Sequence, residues 1–154
     1  VVFMDADLRR SGLAREFGWS PEPDLADFIA GRAPLDEVVF STVELSFDIL
    51  AARGAAPDAA DQLEASWLGP VIDELKRVYD VVVIDAPPML AVADGLVLAR
   101  VADSPVYLVR AGSTSRKAVA EGLAMLDEMR VGLAGTVLTM EDPRAAAASY
   151  YPNY

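Results

Sequence analysis

The sequence predicts an α/β fold, a doubly wound and mostly parallel sheet with helices on both faces. Three observations predict it. Val81-Val82-Val83-Ile84 is an unbroken β-branched run that leads into Asp85-Ala86-Pro87-Pro88, the pattern of a central strand covered on both faces and halted by prolines. A second apolar run, Val1-Val2-Phe3-Met4, delivers Asp5-Ala6-Asp7 in the same way. Between and beyond them, apolar runs alternate with helical spacing as β-α-β-α-β-α-β, which implies parallel strands joined by right-handed crossovers.

In order along the chain, Val1 to Met4 is the first strand. Leu8 to Phe17 has helical spacing and Gly18 is its stop. Ser20-Pro21-Glu22-Pro23 is a loop, Asp24 can cap a short helix through Ala30, and Gly31 ends it. Phe47, Ile49 and Leu50 mark a second strand, and Ala-Pro-Asp at 56 to 58 is a loop. Leu63, Trp67, Val71, Leu75 and Val78 share one helical face despite the Gly69-Pro70 interruption. After Pro88, Met89 to Arg100 reads as a helix, Pro105 to Arg110 as a strand, Ser115 to Arg130 as a helix with Val119, Leu123, Leu126 and Met129 on its stripe, and Val131 to Thr139 as the last strand. Beyond Asp142-Pro143 the chain turns alanine-rich and ends in Tyr150, Tyr151 and Tyr154, a tail expected to be mobile. The expected division is therefore one domain, 1–143, with a tail, 144–154.

Composition narrows the chemistry. With 154 residues, 53% of them hydrophobic, the chain is sized for a single core. It has no cysteine and no histidine, so thiolate, imidazole and the usual zinc chemistry are excluded. A formal charge of −11 argues against general attraction to nucleic acid or anionic lipid. No apolar run approaches the ~20 residues of a membrane span, and a cytosolic domain is expected. Residue 1 is Val and already lies in a strand, so an upstream segment is also expected.

What remains is carboxylate chemistry. Two strands that each end in acid bring Asp5, Asp7 and Asp85 to one crevice if the strands are neighbours, and the carboxyl edge of a parallel sheet is where ligands bind. Hard oxygen ligands of this kind suit Mg²⁺ bound together with phosphate oxygens. That is the arrangement phosphoryl transfer requires, a further carboxylate being able to orient or deprotonate an attacking hydroxyl. Either strand end alone is equally consistent with a capping role. Arg9 and Arg10 admit two readings, a bridge to phosphates or subunits and a solvated basic pair. Trp67 is read as core, and Trp19 as either a loop anchor or a contact surface.

These residues resemble a family. Val1 to Arg10 is similar to the Walker A′ motif of the bacterial tyrosine kinases, the autokinases that accompany capsule and exopolysaccharide export, and Tyr79 to Pro88 is similar to their Walker B segment. The resemblance extends through Asp24 to Gly31, Pro34-Leu35, Leu50 to Pro57, Asp94, Asp103, Val106 to Arg110 with Gly112 and Thr114, and Gly135 to Leu138, and ends in the tyrosine-rich tail. It implies a P-loop NTPase-like fold whose first strand and phosphate loop lie upstream of Val1. It implies ATP and Mg²⁺ as cofactors, with Asp5 and Asp85 as metal ligands, direct or through water, and Asp7 as the base or orienter. Arg110, beyond a strand at the ligand edge, admits two readings, a residue lining the nucleotide pocket and an ordinary loop arginine, and Thr139 stands where the family usually has Asn near the adenine. Tyr150, Tyr151 and Tyr154 are the implied phosphate acceptors, modified in trans within an oligomer, each phosphate adding about −1.5 to −2 charges. A membrane-spanning activator or polysaccharide copolymerase, fused or separate, would hold the domain at the inner face of the cell membrane.

The sequence also departs from the family. It contains no G-x-x-x-x-G-K-[ST] loop, so the chain by itself is expected to bind ATP poorly, and Ser11 stands where relatives often have Pro. Two alternatives follow: a partition or division-site ATPase switch of the same wider fold, and a non-catalytic fragment that keeps the scaffold. Those ATPases usually carry basic or amphipathic segments and lack a tyrosine-rich end.

Overall fold

The computed structural model describes residues 1–41, 45–55 and 68–142. They fall into two compact units, one from Val1 to Leu98 and the other from Ala99 onward.

The first unit is built on a three-stranded parallel sheet with the order β2-β1-β3, in which β1 is Val2–Asp5, β2 is Asp48–Leu50 and β3 is Val82–Asp85. The central strand is thus β1. Val2, Met4 and Asp5 are buried, as are Ile49 and Leu50 of β2 beside it. The expectation that Val81 to Ile84 is the central, doubly covered strand is corrected. Within this unit β3 is an edge strand that alternates, with Val82 and Ile84 half-buried and Val81 and Val83 exposed. A run of β-branched residues fixes strand propensity but says nothing about which strand becomes its neighbour.

Around this sheet lie α1 (Leu13–Glu16), α2 (Leu25–Ile29), α3 (Leu35–Val38) and α4 (Leu68–Val78). The long helix expected from Leu8 is shortened to α1, because residues 8 to 10 form a turn in which the Arg10 N–H donates to the Asp7 carbonyl. Gly18 and Gly31 close α1 and α2 with φ of 63° and 69°, a region open to glycine without strain. Asp24 caps α2 in a reciprocal box with Asp27 and also accepts from the Arg53 N–H at 2.9 Å, which ties α2 to the segment after β2. Trp19 is a loop anchor, its ring 4.4 Å from that of Phe40. The helix α4 buries Leu68, Val71, Ile72 and Leu75, whereas Val78, expected on the same face, is exposed. Trp67, Leu63 and the loop at 56 to 58 lie outside the described residues.

At the amino end of the sheet, the Tyr79 hydroxyl donates to Asp48 Oδ2 at 2.6 Å. Burial, and then Asp48, push the phenol up to about 12, while hydrogen bonds from Ser41 and Tyr79 hold Asp48 below the ordinary carboxylate range. Because the folded phenol holds its proton more tightly than the unfolded one, its contribution is complete below about pH 10 and disappears as pH rises through about 12. Tyr79→Phe is therefore expected to lose about 1–2 kcal/mol at neutral pH and to flatten the alkaline limb of stability, as read by urea unfolding from pH 8 to 12.

The second unit pairs β4 (Val106–Arg110) in parallel with β5 (Gly135–Thr139), and α6 (Arg116–Glu128) connects them. Ser115 caps α6 through a bond from the Ala118 N–H at 3.1 Å. The buried positions of α6 are Gly122 and Leu126, and Met129, expected on the stripe, is exposed because it is already the cap residue. The helix α5 (Asp94–Val101) starts later than expected from Met89, since the Ala91 N–H turns back to the Pro88 carbonyl and Ala93 accepts the first helical bonds.

Candidate active site

Parallel register places the acids. Asp5 and Asp85 are direct partners across β1 and β3, and the Ala6 N–H donates to the Asp85 carbonyl at 2.8 Å. The carboxyl ends of the two strands are thus locked at one level, with Asp7 two residues further on.

The three acids differ in what holds them. Asp5 is 1% exposed and is committed to the turn that follows it. Its Oδ1 accepts from the Asp7 N–H at 3.1 Å. Its Oδ2 accepts from the Ser11 hydroxyl and from the Gly12 and Leu13 N–H groups, each at 3.0 Å. Asp5 thereby serves the orphan amides at the start of α1. Ser11 is part of this arrangement, and its hydroxyl also lies 2.8 Å from the Ala52 carbonyl. Asp7 is half-buried, and its Oδ1 accepts from the Arg10 N–H at 3.1 Å. Asp85 reaches solvent at the sheet edge. Partial burial of its carboxyl, and then the charges of Asp5 and Asp7, push its pKa above the ordinary value.

The charges of Asp5 and Asp7 beside Asp85 make this edge one where a cation is favoured. Among the described residues no group of three or more side chains converges as a ready metal cage. The donor set fits a hard cation held by one or two carboxylates and completed by water and phosphate oxygens. Asp85 and Asp5 would hold it, Asp5, whose oxygens already serve the turn, through water.

Three residues that the motif reading left without a fixed role meet at this edge. Arg9 Nε lies 3.1 Å from Asp94 Oδ2, so this arginine is not merely solvated. Gly95 sits where a Cβ would come within 3.1 Å of the Pro87 carbonyl and of Met89 Cα. The sequence signals for this group were the family likeness at Asp94 and the Walker A′-like stretch that contains Arg9, and neither pairs the two.

Arg110 and Thr139 are register partners at the carboxyl ends of β4 and β5 in the second unit. Arg110 is exposed. The Thr139 hydroxyl is 3.4 Å from the Val109 carbonyl, and Gly112, with φ of 67°, turns the chain just beyond. Tyr150, Tyr151 and Tyr154 lie outside the described residues.

No family model matches the chain. Over 151 residues it is 31% identical to the tyrosine-protein kinase Etk of Escherichia coli K12, an alignment that covers 98% of this chain and 21% of Etk. The kinase domain of VpsO superposes with a TM-score of 0.84 at 28% identity, covering 92% of this chain and 70% of that domain. The cell division ATPase MinD of Pyrococcus furiosus superposes with a TM-score of 0.71 at 21% identity, covering 96% and 65% of the two chains, a likeness of fold alone. This chain spans about a fifth of the length of Etk. It is a homologue of the bacterial tyrosine-protein kinases and carries the P-loop NTPase-like α/β fold of their kinase domains.

Proposed function

We propose that this chain is part of a protein-tyrosine autokinase that transfers the γ-phosphoryl group of ATP to Tyr150, Tyr151 and Tyr154 of a neighbouring copy, in the service of capsule or exopolysaccharide export. The observation that carries this reading is the in-register pair Asp5 and Asp85 with Asp7 beside it, in a chain similar along its length to tyrosine-protein kinases. Three acids at one edge repel a triphosphate, so the reading requires Mg²⁺, which supplies charge neutralisation of the phosphates. Asp85, with Asp5 through water, would hold it, which leaves Asp7 free to act as a base, and Arg110 and Thr139 are the candidates for contact with the nucleotide.

In transfer, Asp7 accepts the proton of the acceptor tyrosine hydroxyl as the phenolic oxygen forms its bond to the γ-phosphorus and the bond to the bridging oxygen breaks, releasing ADP. Asp5 holds the backbone that carries Asp7 through its bond to the Asp7 N–H. A phosphate loop upstream of Val1 would cradle the triphosphate, and a membrane-spanning activator, fused or separate, would place the domain at the inner face of the membrane. Phosphates on an already acidic domain would loosen the oligomer by repulsion.

The likeness of fold to MinD keeps a second reading in view, a nucleotide switch that hydrolyses ATP without touching tyrosine. The natural full-length protein, incubated with ATP and Mg²⁺ and probed for phosphotyrosine by mass spectrometry, separates the two. Label on the tyrosine tail is the expected result. ADP release with no phosphotyrosine gives the switch, and neither product from a folded protein leaves a non-catalytic scaffold.

A further inference from the structure

We propose that the consecutive residues Asp94 and Gly95 form a positioning staple that fixes the spacing between the loop carrying Asp7 and the loop leaving Asp85. The two residues reach opposite ways from the start of α5. Asp94, only 8% exposed, takes Arg9 at 3.1 Å, and Arg9 is two residues past Asp7. Gly95 is pressed against the other loop, where a Cβ would meet the Pro87 carbonyl and Met89 Cα at 3.1 Å and Met89 Cβ at 3.4 Å; Pro87 is two residues past Asp85. The nearest of these contacts are backbone atoms, which cannot swing aside as the end of a long side chain can. Adjacent Cα atoms are separated by a fixed ~3.8 Å, so the two contacts, one through side chains and one through backbone, start from a single point of the chain.

A purely stabilising role explains this pair poorly. Arg9 is 37% exposed in this pair, and ion pairs open to solvent add only about 0–1 kcal/mol to stability, so stability alone gives little reason for it. The charge of Asp94 also suits the amino end of α5, but that interaction is worth only a few tenths of a kcal/mol to ~1 kcal/mol and does not require Arg9. The staple rests on the reading of Asp7 and Asp85 as the reacting edge, and assigns to Asp94, Gly95 and Arg9 the task of keeping that edge in register. None of the three is assigned contact with substrate.

The test uses the ¹⁵N-labelled natural full-length protein with Mn²⁺ as the probe ion. In Asp94→Asn and Gly95→Ala, amide exchange at Ala6, Asp7 and Arg10 is expected to rise about tenfold relative to Ile49. Those three amides bond to Asp85, Asp5 and Asp7, whereas the Ile49 amide bonds to Phe40. Mn²⁺ affinity measured by proton relaxation is expected to fall about 10–100-fold, the range seen when the supports of a metal site are removed. Arg9→Lys should retain most of what Arg9→Met loses, because lysine Nζ reaches at least as far along the side chain as the Nε used here. Exchange that rises equally at Ile49, or an Arg9→Lys variant as impaired as Arg9→Met, overturns the staple. Absence of Mn²⁺ binding by the unmodified full-length protein overturns the kinase reading instead, and the exchange pattern still decides the staple.

Discussion

Asp5→Ala is expected to destabilise the first unit by about 3 kcal/mol or more, the largest stability loss of any single change at the site. The wild-type carboxylate receives three backbone N–H groups and one hydroxyl while 1% exposed. Loss of a helix cap alone costs about 0.5–2 kcal/mol, and each buried donor left without a partner adds about 1–3 kcal/mol unless water reaches it. Asp5→Asn should fall between wild type and alanine. Its amide oxygen can keep the three donors on Oδ2, but its NH₂ then faces the Asp7 N–H, donor against donor. Urea unfolding followed by far-UV circular dichroism orders the three proteins. An alanine variant within 1 kcal/mol of wild type would show that Asp5 does not hold this turn.

How much of this was legible beforehand follows from where the determining contacts lie along the chain. The acids at the strand ends were readable because strand propensity and the proline stop are local, and the Asp24 cap and the glycine stops at 18 and 31 were readable for the same reason. The shortening of the helix expected from Leu8 was not. Apolar spacing from Leu8 to Phe17 suits a helix, but Asp5 takes the Gly12 and Leu13 amides and moves the helix start to Leu13. A side chain competing for backbone amides is invisible to periodicity. The β-branched run at 81 to 84 specified a strand but could not specify its neighbour, which is why β1 and not β3 is central in the first unit. Arg9 and Asp94 are 85 positions apart, and the close approach at Gly95 depends on two backbones meeting. Neither leaves a pattern in one sequence. The difference between Asp5, saturated by hydrogen bonds, and Asp85, raised in pKa, is likewise a property of assembled surroundings.

Asp85→Asn is expected to move activity and stability in opposite directions. Removal of its charge takes away an anchor for Mg²⁺ and the phosphates, and phosphotyrosine formation by the full-length protein should fall about 10²–10³-fold, the scale of losing one strong electrostatic contact in a transition state. The same change relieves the fold when no cation is bound. Burial and the charges of Asp5 and Asp7 raise the folded pKa of Asp85, so the folded state binds this proton more tightly than the unfolded state does. Its favourable contribution is present below the ordinary carboxylate range and is lost as pH rises through the raised folded value. At neutral pH the ionised group therefore opposes folding, and asparagine removes that opposition. Without Mg²⁺, Asp85→Asn should be more stable than wild type at pH 7, with the advantage shrinking as pH falls below the folded value. With saturating Mg²⁺ the order should reverse, because only the wild type gains from binding. Thermal unfolding at pH 4 and pH 7, with and without the cation, reads all four conditions. A constant difference between the two proteins across them would mean that Asp85 neither feels its neighbours' charge nor holds a cation.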